Sequence, residues 1–249
     1  MSATAQTYLP TAEALKTPFP ADVDAEKVAR EWLDSFSNAL SSNNVDAILS
    51  HIHPDGWWRD IFALTWDLRT FHGTDKIKQF IQDRVATAKI TGVKFEFARV
   101  HHAFEDVSWI LHQFDFETDV IGGKGLVRLV PTPNGEWKAF LFFTNLESLK
   151  GYPEKTGIHR SFEPNHGKWL DQRKREQEFA DGDPDVLIVG GGQSGLDVAA
   201  RLKHVGVSNV IIEKQARIGD QWRNRYAALC LHDPVCKLII VMCHSPIHY

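Results

Sequence analysis

Three things are scarce in this 249-residue chain, and each scarcity closes off a class of protein. Cysteine is the first: Cys230, Cys236 and Cys243 are the whole complement, all near the C-terminal end. Their number is odd and no CxxC pair occurs, so neither a disulfide-framed secreted scaffold nor a zinc site is expected. An excess of one charge is the second: 28 Lys and Arg stand against 32 Asp and Glu, a net of -4. That balance supplies no electrostatic reason for a nucleic-acid or anionic-membrane partner. Long apolar runs are the third. The most apolar late stretch, Leu238 to Met242, is far shorter than the ~20 residues that span a bilayer. The first residues hold no basic region followed by an apolar one, so no signal peptide is expected. A cytoplasmic protein without a membrane span is the resulting expectation. Repeats and low-complexity segments are absent as well, and a 43% hydrophobic, 24% charged composition is that of an ordinary globular chain.

What is present divides into two parts. Residues 1–22, rich in Pro, Thr and Ala, read as a flexible, extended arm. A first domain is expected over residues 23–150. Val28, Trp32, Leu33, Phe36 and Leu40 recur at three- and four-residue steps, which predicts an amphipathic helix over Ala25 to Leu40. Asn43 and Asn44 interrupt it, and Val45 to Ser50 reads as a short second helix. Trp57 to Trp66 fits strand or helix equally. Thr74 or Asp75 would cap a third helix, Lys76 to Ala88, that buries Ile77, Phe80, Ile81 and Val85. After Gly92 the period changes to two: Val93, Phe95 and Phe97 alternate with Lys94 and Glu96, a half-buried strand. Val107 to Thr118, Gly123 to Pro131 and Glu136 to Leu146 follow as three more strands. Asn134-Gly135 makes the last hairpin turn, since both residues tolerate positive φ. Helices followed by a run of antiparallel strands imply an α+β domain, with the helices on one face of a curved sheet. In order and length residues 24–150 resemble the NTF2-like (SnoaL-like) cone fold. Residues 151–183, polar and charged, read as an interdomain linker with a charged helix over Lys168 to Phe179.

The second part carries the chemistry. Asp185 to Val189 is a short apolar run of the kind buried in a parallel sheet. It leads into Gly190-Gly191-Gly192-Gln193-Ser194-Gly195. In this GxGxxG pattern Gly190 permits the tight turn, Gly192 lets the backbone approach a pyrophosphate, and Gly195 allows the helix to pack on the strand. The helix Leu196 to Val205 ends at Gly206, and its N-terminus faces the phosphates. Val207 to Ile212 is the second strand. It ends in Glu213, 18 residues after Gly195, where about 20 is expected. A carboxylate there accepts hydrogen bonds from ribose hydroxyls and repels a 2′-phosphate, which disfavours NADP at this site. A lone GxGxxG is a weak signal, but strand, glycines, helix, strand and acidic residue in order are specific.

Beyond Glu213 and Lys214 come Gly219, Asp220, Gln221, Trp222 and Arg223. Here residues 183–234 resemble the flavin-containing monooxygenase family of fungal and plant type, whose FAD motif is followed by Gly-Gly-x-Trp. Gly219 and Trp222 match; Asp220 replaces the second glycine, a mild departure because Asp tolerates positive φ. Arg223, Tyr226, Leu229 and His232-Asp233-Pro234 extend the likeness, and some members carry an NTF2-like N-terminal domain. The resemblance implies FAD held by Gly190, Gly191, Gly192, Gln193, Ser194, Gly195, Glu213, Lys214, Gly219, Gln221 and Trp222. It also implies reduction by NADPH and oxygen transfer through a flavin C4a-hydroperoxide to a small soft nucleophile. The family's second GxGxxG for NADPH and its Phe-x-Gly-x-x-x-His signature are missing. Residues 235–249 do not continue the pattern, which points to a truncated gene model or a read-through intron near Val235. The expected Rossmann unit, residues 184–234, is therefore partial. Leu187, Val189, Val210 and Ile212 would be part-exposed, and FAD would be retained weakly or not at all.

Other residues are weaker candidates. His51, His53, Asp55 and Asp60 lie near a bend where a metal or acid–base role is conceivable, but polar turn residues are the commoner case. His101 and His102 face opposite sides of a strand, so with His112 they make poor joint ligands. Trp57, Trp58, Trp66, Trp109 and Trp137 read as core rather than as a stacking platform. No metal site is expected, and the cysteines have no adjacent base. The competing functional class is a non-catalytic NTF2-like module that binds a small molecule or dimerises, followed by a vestigial nucleotide-binding segment.

Overall fold

A computed structural model describes residues 9–160, 162–225 and 227. The chain divides into two compact units, Met1–Lys150 and Gly151–Tyr249.

In the first unit the sequence begins with one helical turn, α1 (Ala12–Leu15). The Thr11 side chain accepts from Ala14 N–H (3.1 Å) to cap it. The long helix α2 (Ala25–Ser41) starts where Asp24 accepts from Lys27 N–H (3.0 Å), the short-side-chain cap that satisfies an orphan N–H. It buries Ala29, Trp32, Leu33, Phe36 and Ala39 on one face, with Val28 and Leu40 at the margin of the same core. Asn43, at φ 50°, turns the chain, and Asn44 caps α3 (Val45–Ser50). The stretch with no clear period resolves into a hairpin of β1 (Ile52–Ile61) and β2 (Leu68–His72). The third helix differs from expectation at its start. Its cap is Gly73 at φ 80°, with no side-chain bond, rather than Thr74 or Asp75. It runs as α4 (Thr74–Phe80), a π-helical stretch Ile81–Val85 and a last turn α5 (Ala86–Ala88), still burying Ile77, Phe80, Ile81 and Val85.

Four long strands follow: β3 (Thr91–Phe104), β4 (Val107–Glu117), β5 (Ile121–Pro131) and β6 (Trp137–Leu149). The sheet order is β2-β1-β6-β5-β4-β3. The four long strands pair antiparallel, as expected, but β1 returns beside β6 in parallel, so the sheet is mixed. The alternation expected through Phe97 fails at a register shift between Phe95 and Phe97. The irregularity moves the inward positions to Ala98 and Val100 and leaves Phe97 38% exposed, as a β-bulge does when it flips the facing of a strand. At the β5–β6 turn only Gly135 (φ 82°), not Asn134, has positive φ.

Helices and sheet enclose an aromatic core in which Phe36, Trp58, Phe114, Phe116 and Phe142 are fully buried. Two strand glycines serve this packing. A Cβ on Gly125 would lie 2.2 Å from the Phe114 ring, and one on Gly123 would lie 2.5 Å from that of Phe116; each glycine is the cross-strand partner of the ring above it. Part of the arm expected over residues 1–22 is also packed. Leu15 is buried with Val107, Trp109, Val130 and Phe140, Thr11 forms a bridge to Val107, and Phe19 meets Trp137 edge-on at 5.6 Å. Trp109 and Ile110 belong to the two separate clusters, so this small cluster, with Leu15 of α1, lies on the sheet face opposite α2 to α5.

The second unit contains α6 (Trp169–Gln177), β7 (Val186–Val189), α7 (Gln193–His204), β8 (Asn209–Ile212) and the single turn α8 (Asp220–Arg223). β7 and β8 pair in parallel. The expected linker is not free of contacts: Glu154 pairs with Arg201 of α7, and Lys155 N–H donates to His204 O at 2.6 Å. Of the strand residues, Ile188 is 8% exposed, whereas Leu187, Val189 and Ile212 are 60%, 79% and 48% exposed. The fold class is thus an α+β unit with a mixed sheet, followed by a β–α–β unit of two parallel strands. Among the described residues no helix is long and apolar enough to cross a membrane.

Candidate dinucleotide site

The turn after β7 is built by glycines with distinct duties. Gly190 sits at φ 105°, a conformation that favours glycine, and its N–H donates to Ile212 O of β8 (2.8 Å). A Cβ on Gly195 would fall 2.0 Å from Gly190 O, so only glycine lets α7 approach the turn. A Cβ on Gly192 would meet nothing nearer than Gln221 Nε2 at 3.7 Å, and its φ of −77° is ordinary. Among the described residues no contact demands a glycine there, and the space above it is open. Gly192 is also the N-cap of α7 and makes no side-chain cap bond. The first bond of the helix runs from Leu196 N–H to Gly192 O (3.0 Å). The N–H groups of Gln193, Ser194 and Gly195 therefore stay outside the intrahelical ladder, at the positive end of the helix.

Glu213 follows β8. Its Oε2 accepts from Gly191 N–H (2.7 Å) and its Oε1 from Gln215 N–H (3.0 Å). These backbone bonds, that of Gln215 first, hold the carboxyl below the usual carboxylate range. Each oxygen retains lone-pair capacity for a ribose hydroxyl. A cleft of two lobes, each about 560 Å³, meets at Val189, Gly190, Gly192 and Gln221. One lobe is floored by Gly192, Gln193, Ser194 and Gly195 and walled by Trp222. The other is lined by Glu213, Lys214 and Gln215. An anion fits the helix-end lobe and a polyol fits the carboxylate lobe, as the diphosphate and the ribose of an adenosine diphosphate would.

The expected residues Gly190, Gly192 to Gly195, Glu213, Lys214, Gln221 and Trp222 line this cleft. Gly191 is placed by its N–H bond to Glu213 rather than by lining the cleft. Gly219 supplies the positive φ (90°) of the following turn. Asp220 makes no use of the tolerance of aspartate for positive φ. It is the first residue of α8, and its Oδ1 accepts from Arg217 Nε (2.9 Å) and Arg223 Nη1 (2.8 Å). Four described lining residues, Val189, Ile212, Gln215 and Arg225, stand outside the expected set; Val189 and Ile212 read in the sequence only as strand residues, and Gln215 stands two positions after Glu213, the one local signal that it belongs here. Tyr226, Leu229, the His232-Asp233-Pro234 segment, the three cysteines and residues 235–249 lie outside the described residues.

The secondary candidates in the first unit separate. His51 bonds Ala47 O and Ser35 Oγ, each at 2.8 Å, and His53 accepts from Asp55 N–H (3.1 Å). Asp60 is not a polar turn residue, because it is fully buried. It accepts from Leu64 N–H (3.1 Å), Thr65 N–H (2.9 Å), Thr65 Oγ1 (2.7 Å) and Thr144 Oγ1 (2.7 Å), and so organises the β1–β2 loop. His101 stacks on Trp109, while its neighbour His102 bonds Ser108 Oγ. His112 is buried in the aromatic core, with Nδ1 3.0 Å from Phe97 O and Nε2 unpartnered; burial holds its pKa below the usual imidazole value. Among the described residues no group of three or more His, Cys, Asp or Glu is arranged to hold a metal ion. Of the tryptophans expected in the core, Trp58 and Trp109 are buried, but Trp66 is 54% exposed at φ 55°. The loop around it is held by Asp60, not by burial of the indole.

Comparison with known proteins agrees with the geometry of the second unit. Residues 183–227 match the family model described as FAD binding domain, so FAD is the cofactor that this stretch supports. The chain is 46% identical over 50 residues to an uncharacterized CzcO-like oxidoreductase of Geobacillus kaustophilus, covering 20% of this chain and 14% of that protein. It is 54% identical over 35 residues to the FAD-dependent oxidoreductase oblC of Cochliobolus heterostrophus, covering 14% and 7%. The chain thus spans about one seventh or less of the length of these relatives. A solved structure similar in part is nuclear transport factor 2 from Cryptosporidium parvum, with 12% identity and a TM-score of 0.37, covering 51% of this chain and 100% of that one.

Proposed function

We propose that this chain carries the adenosine-diphosphate half of the FAD site of an NADPH-dependent flavin monooxygenase that acts on a small soft nucleophile. The observation that carries the reading is the open space over Gly192, a glycine that no contact among the described residues requires, set between the N-terminus of α7 and the carboxylate of Glu213. FAD, when bound, supplies two-electron transfer from NADPH and reaction with dioxygen. The protein's own work is binding and orientation. The N–H groups of Gln193 to Gly195 take the pyrophosphate, Glu213 takes the ribose hydroxyls, and Trp222 walls the helix-end lobe. The low pKa of Glu213 keeps it an acceptor across the neutral range. The exposed faces of Leu187, Val189 and Ile212 support weak retention of FAD by this chain alone, and they support no turnover without further walls around the flavin ring. The first unit is proposed as a dimerising companion in a cytoplasmic enzyme.

The test is titration of the full chain with FAD, followed by flavin fluorescence, with ADP as competitor. Saturable quenching relieved by ADP is expected. Binding of NAD in preference to FAD, or no binding of either, refutes the reading. Stoichiometric flavin in the purified protein refutes the weak retention, and NADPH consumption under air tests turnover separately.

A further inference from the structure

We propose that Asp220 is a positioning residue for the cofactor site, holding the loop from Gln215 to Arg223 clasped against the phosphate turn at Gly191. The inference rests on the FAD reading above. Gly191 is gripped from three sides by the segment that follows β8. Its N–H donates to Glu213, its O accepts from Gln221 Nε2, and the Ile218 side chain lies so close that a Cβ on Gly191 would stand 2.3 Å from Ile218 Cδ1. The Gln221 bond is long, at 3.5 Å, and by itself holds little.

The two outer contacts, Ile218 and Gln221, flank Gly219 and Asp220. Asp220 locks the spacing between them. Its Oδ1 accepts from both Arg217 and Arg223, and Arg223 Nη1 also donates to Ile218 O at 3.1 Å. The carboxylate is 13% exposed, while the two arginine side chains are 68% and 50% exposed. The anion is therefore shielded and the cations reach in from solvent, a network rather than an isolated surface pair. The flavin-monooxygenase pattern has glycine at this position, and glycine has no carboxylate with which to make the clasp.

The experiment compares the full chain with its Asp220→Gly, Asp220→Asn and Asp220→Glu variants. FAD affinity is read by fluorescence, and hydrogen exchange at the Gly191 and Trp222 amides is read without FAD. A thermal melt of each variant confirms folding. Asp220→Gly and Asp220→Asn are expected to weaken FAD binding by about twofold to fivefold and to speed exchange at both amides, with Asp220→Glu recovering part of each. If Asp220→Gly, which restores the family residue, binds FAD as tightly as the parent or more tightly, the clasp is overturned. If the parent chain binds no FAD, the FAD reading fails instead. The clasp is then decided by exchange alone: faster exchange in Asp220→Asn supports it, and unchanged exchange overturns it.

Discussion

Replacing Gly192 and Gly195 separately by alanine isolates the ligand's claim on the phosphate turn from the protein's own. At Gly192 the new Cβ has 3.7 Å of clearance and an ordinary φ of −77°. Alanine caps a helix less well than glycine, by some tenths of a kcal/mol or more, but it lowers the entropy of the unfolded chain by about 0.4–1 kcal/mol. The two effects offset, so the stability of Gly192→Ala should stay within about 0.5 kcal/mol of the parent. Its methyl group projects into the ligand space and forces the pyrophosphate off the helix N–H groups. Losing one hydrogen bond to a charged group costs about 1.5–3 kcal/mol, a fall in FAD affinity of about tenfold to a hundredfold. At Gly195 the Cβ would stand 2.0 Å from Gly190 O, so the backbone must move. Overpacking of that kind costs about 1–3 kcal/mol, and binding falls with it. Urea unfolding of each variant, paired with FAD titration, separates the two. If Gly192→Ala binds FAD like the parent, or unfolds as easily as Gly195→Ala, the assignment of that space to a cofactor is wrong.

Three further outcomes concern the first unit. Asp60→Ala should lower its stability by about 3 kcal/mol, because Leu64 N–H, Thr65 N–H and Thr144 Oγ1 lose their buried acceptor; a chemical-denaturation difference below about 1 kcal/mol would sink that account. Gly125→Ala should destabilise through the Phe114 ring, 2.2 Å from the new Cβ, and adding Phe114→Leu should restore part of the loss; additive losses would show that the two sites are not coupled. Burial holds the pKa values of His112, His51 and His53 below the ordinary 6.5. The unfolded chain then binds more protons than the folded one as pH drops through 6.5, so stability is full above that value and declines below it. For His112 the slope is at most about 1.4 kcal/mol per pH unit. Melting temperatures between pH 8 and 5 (about three units of titration range) should show the decline, and His112→Phe should flatten it; an equal slope in that variant refutes the role of His112.

The parts legible in the sequence are those whose causes are local. The phosphate turn, α7 and Glu213 all lie within residues 186–213, and the pairing of β7 with β8 closes over that short span. The amphipathic face of α2 is equally local. What could not be read depends on partners far along the chain. Asp60 looks like a turn residue until Thr144, 84 positions away, is brought beside it. The parallel return of β1 onto β6 has the same remoteness. The irregularity between Phe95 and Phe97 is marked by no glycine or proline, so strict alternation was extended past the point where the strand changes face.

Asp220 shows a different limit. Its partners Arg217 and Arg223 are three residues away on either side, well within local range, but a family pattern that expects glycine directs attention to φ and away from the carboxylate. Glycine itself is ambiguous in the same way. Gly219 is required by its φ, Gly195 by the chain's own carbonyl, and Gly125 by an aromatic ring, while Gly192 is required by none of these. A motif gives all its glycines one meaning; only the distances separate those that build the protein from the one with open space above it. That exclusion, more than the GxGxxG pattern, makes Gly192 the residue on which the cofactor reading stands.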